Sequence, residues 1–444
     1  MSSQMTTVHH ASTRSMRHTT WVRLGVSAAV VGLVLTGCGR GSEGGTAADT
    51  GDKSTSVSAG KATGAITVWA LGAEGDKLGE IAKGFEAENP KAKVNVTVIP
   101  FDAAHDKISS AIAANQTPDV SLAGTTWVSE FAGTGALDKT PTDLIDESKF
   151  FPGAWGTTSV DGTSYGVPWY VETRLIYYRT DLAEKAGVTP KPGWTQDDFK
   201  TFAKAMETKA GAKYGVSLPP GGTGSWQTFM PFAWQNGAEL QSSDKFTFDS
   251  AEMTQTLDYY KSFFTDNLSA GKLAPGALES GFIKGSIGSF VSGPWHMGIL
   301  RDQGGAKFEG KWGVAAMPTA KSGTSFVGGG DLMVFKNSKN RDTAWKFVDY
   351  LTQVEAEQKL YQLVGSLPAV KSAWDTGDLA TDPMLKMFGA QLEDAKSAPA
   401  ISTWEQVADT LDHGIEEAVV GGQTSDAALK AAASKANTIG TGSG

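Results

Sequence analysis

The sequence predicts an α/β fold with central β-sheets flanked by helices, and three strand-helix alternations near its start predict it. "AITVWAL", residues 65–71, reads as a strand, after which Leu78, Ile81, Ala82 and Phe85 fall on one face of a helix. "KVNVTVI" followed by "AAHDKISSAIAANQ" repeats the pattern, and "PDVSLAG" adds a strand ended by Gly124. Strands alternating with helices imply a parallel sheet covered on both faces. Ligands of such sheets sit beyond the carboxyl ends of the strands.

Further along, Asp161-Gly162 signals a hairpin turn before "YGVPWYVETRLIYYRTDLAEKAG", residues 165–187. That β-branched and aromatic run reads as an interior strand, yet it carries Glu172 and Arg174. Alternation puts Glu172, Arg174, Ile176 and Tyr178 on one face and Val171, Thr173, Leu175 and Tyr177 on the other. The two charges are same-face neighbours, so they either pair with each other or mark where the strand surfaces at a binding site. Thr195 and Asp198 form a capping-box start for a helix carrying Phe199, Phe202, Ala203 and Met206. Helices are expected at "AEMTQTLDYYKSFFTDNL" and "RDTAWKFVDYLT", strands at "SIGSFV", "KWGVAAM" and "GGGDLMVF", and a helical tail from Trp404 onward.

At 444 residues, 40% hydrophobic and 20% charged, the chain has ordinary soluble-protein composition and length for two or three domains. Its formal charge is -9, and loss of Arg14, Arg17 and Arg23 with an N-terminal leader takes it to -12. An acidic chain without a Lys/Arg stripe is a poor phosphate-backbone binder, and no nucleic-acid partner is expected.

The leader is read from Arg17 and Arg23 before the apolar run "LGVSAAVVGLVL", which is too short to span a bilayer. It ends in Leu-Thr-Gly-Cys, which resembles the bacterial lipobox, where cleavage leaves a diacylated N-terminal cysteine. Residues 1–37 are therefore expected to be a lipoprotein signal peptide, Cys38 the lipidation site, and the Gly/Ser/Thr/Ala-rich residues 38–64 a flexible tether. Two acyl chains give stable attachment where one is marginal. The expected location is the extracellular face of the cytoplasmic membrane. Cys38 is the single cysteine, which excludes disulfides and thiolate metal sites within the chain.

Enzyme motifs fail on context. "GTSYG", residues 162–166, matches G-x-S-x-G but follows a hairpin signal and runs into Val167-Pro168, where a helix is disfavoured. "GAKFEGKW" nearly spells a P-loop, with Trp312 where a Ser or Thr must hold magnesium. His105, His296 and His413 show no metal-ligand spacing. No metal, cofactor or catalytic residue is expected. A carboxylate pair for glycoside hydrolysis is not excluded by spacing, because folding assembles such pairs.

The tryptophans carry the remaining signal: of 13, 12 lie beyond the leader, several beside polar groups in Gly-rich or strand-end segments. "VWALGAEGDK" sets Glu74 beyond the first strand, and "AGTTWVSEF" sets Thr126 and Trp127 beyond the third. "GTGSWQTFMPFAWQNG", "SGPWHMG" and "ISTWEQV" carry Trp226, Trp295 and Trp404. An indole offers a flat apolar face that suits the C–H face of a pyranose, while carboxylates, amides and Arg suit its hydroxyl rim.

These segments, with "FEAENPKAKVNV", "AGTGALDKTP", "GWTQDDFKTFAKAM" and the tail "APAISTWEQVADTLDHGIEEAVVGGQTSDAALKAA", resemble the extracellular solute-binding proteins of sugar ABC importers, the group that includes maltose-binding protein. The resemblance runs from Ala65 to nearly the C-terminus. It implies a two-lobed periplasmic-binding-protein fold of class II type, with a hinge between lobes that close over one ligand. The N-lobe is then expected at 65–171 and 316–368, and the C-lobe at 172–315 and 369–444. Carried over by position, Glu172 is implied to bond sugar hydroxyls, Trp295 and Trp404 to be aromatic platforms, and Trp226 to stand at an aromatic position. Glu74 lies in a loop that supplies polar ligands. Thr126 and Trp127 replace an acid and a base of maltose-binding protein, which argues against maltodextrin specificity. Asp331, in "GGGDL", and Arg174 complete the expected ligand set. The expected function is a monomeric, lipid-anchored receptor that is not an enzyme and that delivers a di- or oligosaccharide to importer permease subunits. The alternatives are a same-fold receptor for a non-sugar solute and a secreted glycosidase. An iron receptor would draw on Tyr177-Tyr178 or Tyr259-Tyr260. Tyr259 and Tyr260 fall in a predicted helix, and Tyr177 and Tyr178 point to opposite strand faces.

Overall fold

The computed structural model describes residues 56–442. The expected signal peptide, Cys38 and most of the expected tether lie outside them. The first elements follow the predicted order: β1 (Thr63–Leu71), α1 (Gly72–Glu88), β2 (Lys91–Ile99), α2 (Phe101–Ala113) and β3 (Val120–Gly124). Leu78, Ile81, Ala82 and Phe85 form the buried face of α1, as the periodicity requires. After α3 (Val128–Gly133) and α4 (Pro152–Thr158) comes a hairpin of β4 (Ser159–Val160) and β5 (Thr163–Ser164). Asp161 and Gly162 at its tip have φ of 49° and 75°, the left-handed pair that a type I′ turn demands.

The predicted long strand is divided. β6 (Val167–Thr173) and β7 (Leu175–Arg179) belong to different sheets, and Arg174 is the residue between them. α5 (Thr180–Ala186) follows, then α6 (Gln196–Thr208), whose start carries the full reciprocal capping box of Thr195 and Asp198. Next come α7 (Trp226–Gln235), a small hairpin of β8 (Gln241–Ser242) and β9 (Lys245–Phe246), α8 (Ala251–Thr265), α9 (Ala277–Lys284), β10 (Ser289–Ser292), α10 (Trp295–Gly304) and β11 (Trp312–Ala315). β12 (Ser325–Val334) re-enters the large sheet. It is followed by α11 (Arg341–Leu351), α12 (Val354–Val364), β13 (Leu367–Pro368), α13 (Gly377–Thr381), α14 (Pro383–Leu392) and β14 (Ala395–Lys396). The tail forms two helices, α15 (Trp404–Val419) and α16 (Ser425–Ile439), where one helical tract was expected. Gly421 and Gly422 separate them, as glycine's poor helix propensity predicts.

The large sheet has the order β13-β6-β12-β3-β1-β2, with β14 paired to β12. β1 is parallel to both β2 and β3, but β12 runs antiparallel to β3 and to β6. The parallel-sheet expectation thus holds for the leading strands only. β12 is not linked to β3 by a covering helix, and it arrives from the other sheet in the opposite direction. The small sheet, β10-β7-β11, is antiparallel throughout. β7 keeps the predicted alternation: Leu175 and Tyr177 enter a core that continues under the large sheet, while Ile176 and Tyr178 face the core built by α6, α7, α8, α15 and α16. Burying each such side chain contributes about 1.5–3 kcal/mol.

The chain passes between the two sheets at Arg174, again at 316–324, and again after β13. There α14 packs Phe388 against Tyr177 and β14 touches the first two residues of β12. The first passage falls just beyond the expected boundary of 171, because β6 stays in the large sheet as far as Thr173.

The end of the expected tether is held by the body. Ala62 is 1% exposed and donates its N–H to Asn89 Oδ1 at 2.9 Å. Val57 N–H donates to Asp143 at 3.2 Å, Ser58 N–H to Asp342 at 3.1 Å, and Thr63 N–H to Thr343 Oγ1 at 3.1 Å. Small residues that read as linker from composition thus make specific backbone bonds to α11 and the loops beside it, and β1 begins two residues earlier than expected.

Candidate functional site

β1, β3 and β6 end at the same edge of the large sheet, because β6 and β3 both pair antiparallel with β12. Gly330 of β12 stands level with Gly124 of β3 on one side and Tyr170 of β6 on the other, and Gly328 stands level with Glu172. The glycine run is needed for close approach. A Cβ on Gly330 would sit 2.5 Å from the Tyr170 ring, and one on Gly328 would sit 2.8 Å from Phe326 and 3.2 Å from Glu172 Oε1. Gly329, with φ of 136°, would drive a Cβ into the Tyr170 carbonyl.

Around this edge the structure gathers Glu74, Tyr170 and Glu172. Glu74 lies in the first turn of α1 and accepts a 2.6 Å hydrogen bond from Ser366 Oγ. Burial pushes the Tyr170 phenol well above its usual range, and the nearby carboxylates of Glu74, Glu172 and Asp331 push it further. Tyr170 is thus a neutral hydroxyl beside two partly exposed carboxylates, which is a donor-acceptor set for a polyhydroxylated ligand. Sequence reasoning overlooked Tyr170, although it precedes Glu172 by two residues and shares its strand face.

Glu172 and Arg174 are paired, with Nη1 donating to Oε1 at 3.2 Å. Arg174 is 5% exposed and has further partners besides Glu172. Its Nη2 donates to Gln227 Oε1 at 2.6 Å, and its guanidinium carbon lies 4.9 Å from the ring centroids of both Trp295 and Phe326. Trp295, by contrast, is 43% exposed, its ring laid over Gly293 at the start of α10. Beneath it His296 is buried, with Nδ1 at 2.6 Å from Ser292 Oγ and Nε2 at 3.3 Å from Glu279, and burial lowers its pKa.

Thr126 and Trp127 follow β3, both half-buried. The Trp127 ring leans on Gly124 and meets Phe101 and His105 at centroid distances of 5.1 and 5.3 Å.

Three expected contacts lie in the interior instead. Trp226 and Trp404 are 4% and 1% exposed and pack against each other within the core beside α7 and α15. Two large indoles brought together by folding bury each other in preference to facing water. Asp331 is fully buried, and a register shift in β12 after Gly330 accompanies its turn toward α4, where Thr157 Oγ1 donates to its Oδ2 at 2.9 Å. Burial raises its pKa to about 7.

Of the four tyrosines considered for iron, three have their hydroxyls engaged by the backbone, and Tyr178 is half-buried with its ring edge-on to Phe202. Tyr177, Tyr259 and Tyr260 donate their hydroxyls to the carbonyls of Gly293, Gln196 and Pro219, each at 2.7 Å.

Comparison with known proteins agrees in kind. The family model of bacterial extracellular solute-binding proteins matches residues 69–358. A putative binding protein of Brucella abortus is 30% identical over 369 residues, covering 81% of this chain and 89% of the relative. The diacetylchitobiose binding protein DasA of Streptomyces coelicolor is 27% identical, covering 68% of this chain and 72% of its own. Among solved structures, the sugar-binding protein MalE from Xanthomonas citri superposes with a TM-score of 0.80 at 32% identity, covering 85% of this chain and 97% of that one. The GacH receptor of Streptomyces glaucescens, solved unliganded and with acarbose, gives 0.72 at 26% identity, covering 85% and 99%.

Proposed function

Because the chain belongs to the bacterial extracellular solute-binding protein family, we propose that it captures a di- or oligosaccharide between its two sheets and delivers it to an ABC importer without chemically changing it. The observation that carries this reading is that Arg174, at the first passage, touches both the Glu172 carboxylate of the large sheet and the exposed Trp295 ring of the small-sheet side. Glu74, Tyr170 and Glu172 offer hydroxyl partners from the large sheet, and the exposed face of Trp295 offers an apolar platform from the small-sheet side. Thr126 and Trp127, beyond β3, extend the polar side. Relatives that bind maltotriose, diacetylchitobiose and arabinooligosaccharides support a saccharide as the ligand class.

On this reading the lobes are 65–171 with 316–368 and 172–315 with 369–444, hinged at the passages between the sheets. Closure would be stabilised by contacts to both sides. Diacylated Cys38 would hold a monomer at the outer face of the cytoplasmic membrane. Isothermal titration with maltotriose, diacetylchitobiose, arabinotriose and xylobiose is expected to show saturable binding of at least one. Silence from all four, or release of reducing sugar on incubation, would overturn the reading. Palmitate labelling should vanish in Cys38→Ser.

A further inference from the structure

We infer that Arg174 is a positioning residue that couples the Trp295 platform to the hinge, and that it is not itself a sugar ligand. The inference rests on the functional reading above and goes beyond it. Arg174 is the residue of the first passage, and its own carbonyl accepts a 2.9 Å hydrogen bond from Ser325 Oγ, the β12 residue that directly follows the second. Phe326, the second residue of β12, covers one side of the guanidinium. Trp295 of α10 also lies against it, and Gln227 at the start of α7 and Glu172 at the end of β6 take its N–H groups. Through its carbonyl and its side chain together, this one residue therefore touches the start of β12, the exposed platform and the acceptor carboxylate.

Both terminal nitrogens have protein acceptors, two aromatic rings lie against the guanidinium, and the side chain is only 6% exposed, which leaves little of it for a ligand. A planar cation is required here: stacking on an aromatic ring together with donors aimed along two edges is a geometry that guanidinium has and ammonium lacks. Tilting of Trp295 by a bound sugar would move the guanidinium, and with it the first passage and the start of β12. Rocking at the passages would reciprocally reorient the platform.

The test uses Arg174→Lys and Trp295→Phe, alone and combined, in the otherwise intact chain. Two readouts are needed. Acrylamide quenching of tryptophan fluorescence without sugar should rise in Arg174→Lys, and the rise should disappear in the Trp295→Phe background. For whichever of maltotriose, diacetylchitobiose, arabinotriose or xylobiose binds the wild type, Arg174→Lys should weaken affinity about 10-fold. The two substitutions should be non-additive, as expected for groups in contact. Wild-type quenching in Arg174→Lys, or affinity losses that add, would overturn the inference, since an independent ligand contact would add. If no sugar binds the wild type, the functional reading fails, and the quenching comparison still decides whether Arg174 orders Trp295.

Discussion

Trp404 meets Trp226 edge-on, with ring centroids 4.9 Å apart and planes at 83°, and the pair is closed off from solvent by the surrounding core. Phe326 completes the cluster, 5.3 Å from Trp226 and perpendicular to it. Of the three implied aromatic positions, Trp226 and Trp404 are thus core residues and Trp295 is the exposed one.

Trp404→Ala should consequently act on stability, costing about 3–5 kcal/mol in urea unfolding, as deletion of a fully buried aromatic does. Trp295→Ala should leave the melting temperature within a few degrees of wild type and weaken sugar binding about 10-fold or more in calorimetry. The reverse pattern would show that the two residues have exchanged roles.

Glu172→Gln keeps the shape and removes the charge. It should weaken sugar affinity about 10-fold, because an ionised acceptor makes a hydrogen bond roughly twice as strong as a neutral one. Unchanged affinity would remove Glu172 from the ligand set.

Asp331 gives the fold a predictable pH dependence. Burial raises its pKa from the ordinary 3.8 to about 7, so the folded state holds its proton more tightly than the unfolded chain does. That contribution is fully present below about pH 4 and is lost as pH rises through 7. Asp412, raised by burial to about 6, acts in the same direction. Asp331→Asn should therefore flatten, though not abolish, the fall in melting temperature between pH 5 and 8. Parallel wild-type and variant curves would contradict the assignment.

Asp412 also anchors the segment that presents Trp226 and Gln227. It accepts from Gly224 N–H at 2.6 Å, Trp226 N–H at 2.7 Å and Ser225 Oγ at 2.8 Å. Asp412→Ala strands these donors and should cost about 3 kcal/mol, with Asp412→Asn costing less because one acceptor oxygen survives. Equal losses for the two variants would mean that packing, not hydrogen bonding, sets the role of Asp412.

The sequence carried the strand-helix order well, because periodicity and caps are local: the α1 stripe, the Asp161-Gly162 turn and the Thr195 capping box all stand where they were read. Less legible was anything that depends on which elements meet. "YGVPWYVETRLIYYR" has the pattern of one strand, and nothing local marks Arg174 as the point where it changes sheets. β12 likewise reads as a strand without disclosing that it runs against its neighbours. Residue type and strand-end position pointed to Glu74, Glu172 and Trp295, which the fold leaves at least partly exposed. The same criteria could not tell an exposed indole from Trp226 and Trp404, which bury each other only once α7 and α15 are packed. Gln227 and Phe326 had no separate signal, since their importance comes from contact with a residue distant in sequence.

The bonds that hold residues 57–62 to the body bear on where the polypeptide can be trimmed. A shortened chain starting at Ser56 retains the backbone bonds to Asp143, Asp342, Asn89 and Thr343, together with the Arg341 contact to the Ser56 carbonyl at 3.0 Å. One starting at Ala65, where periodicity alone would place the first strand, discards all of these and the buried Ala62. It also removes the first two residues of β1, a strand with neighbours on both sides. For recombinant work, the composition-based boundary is thus about nine residues too far inward.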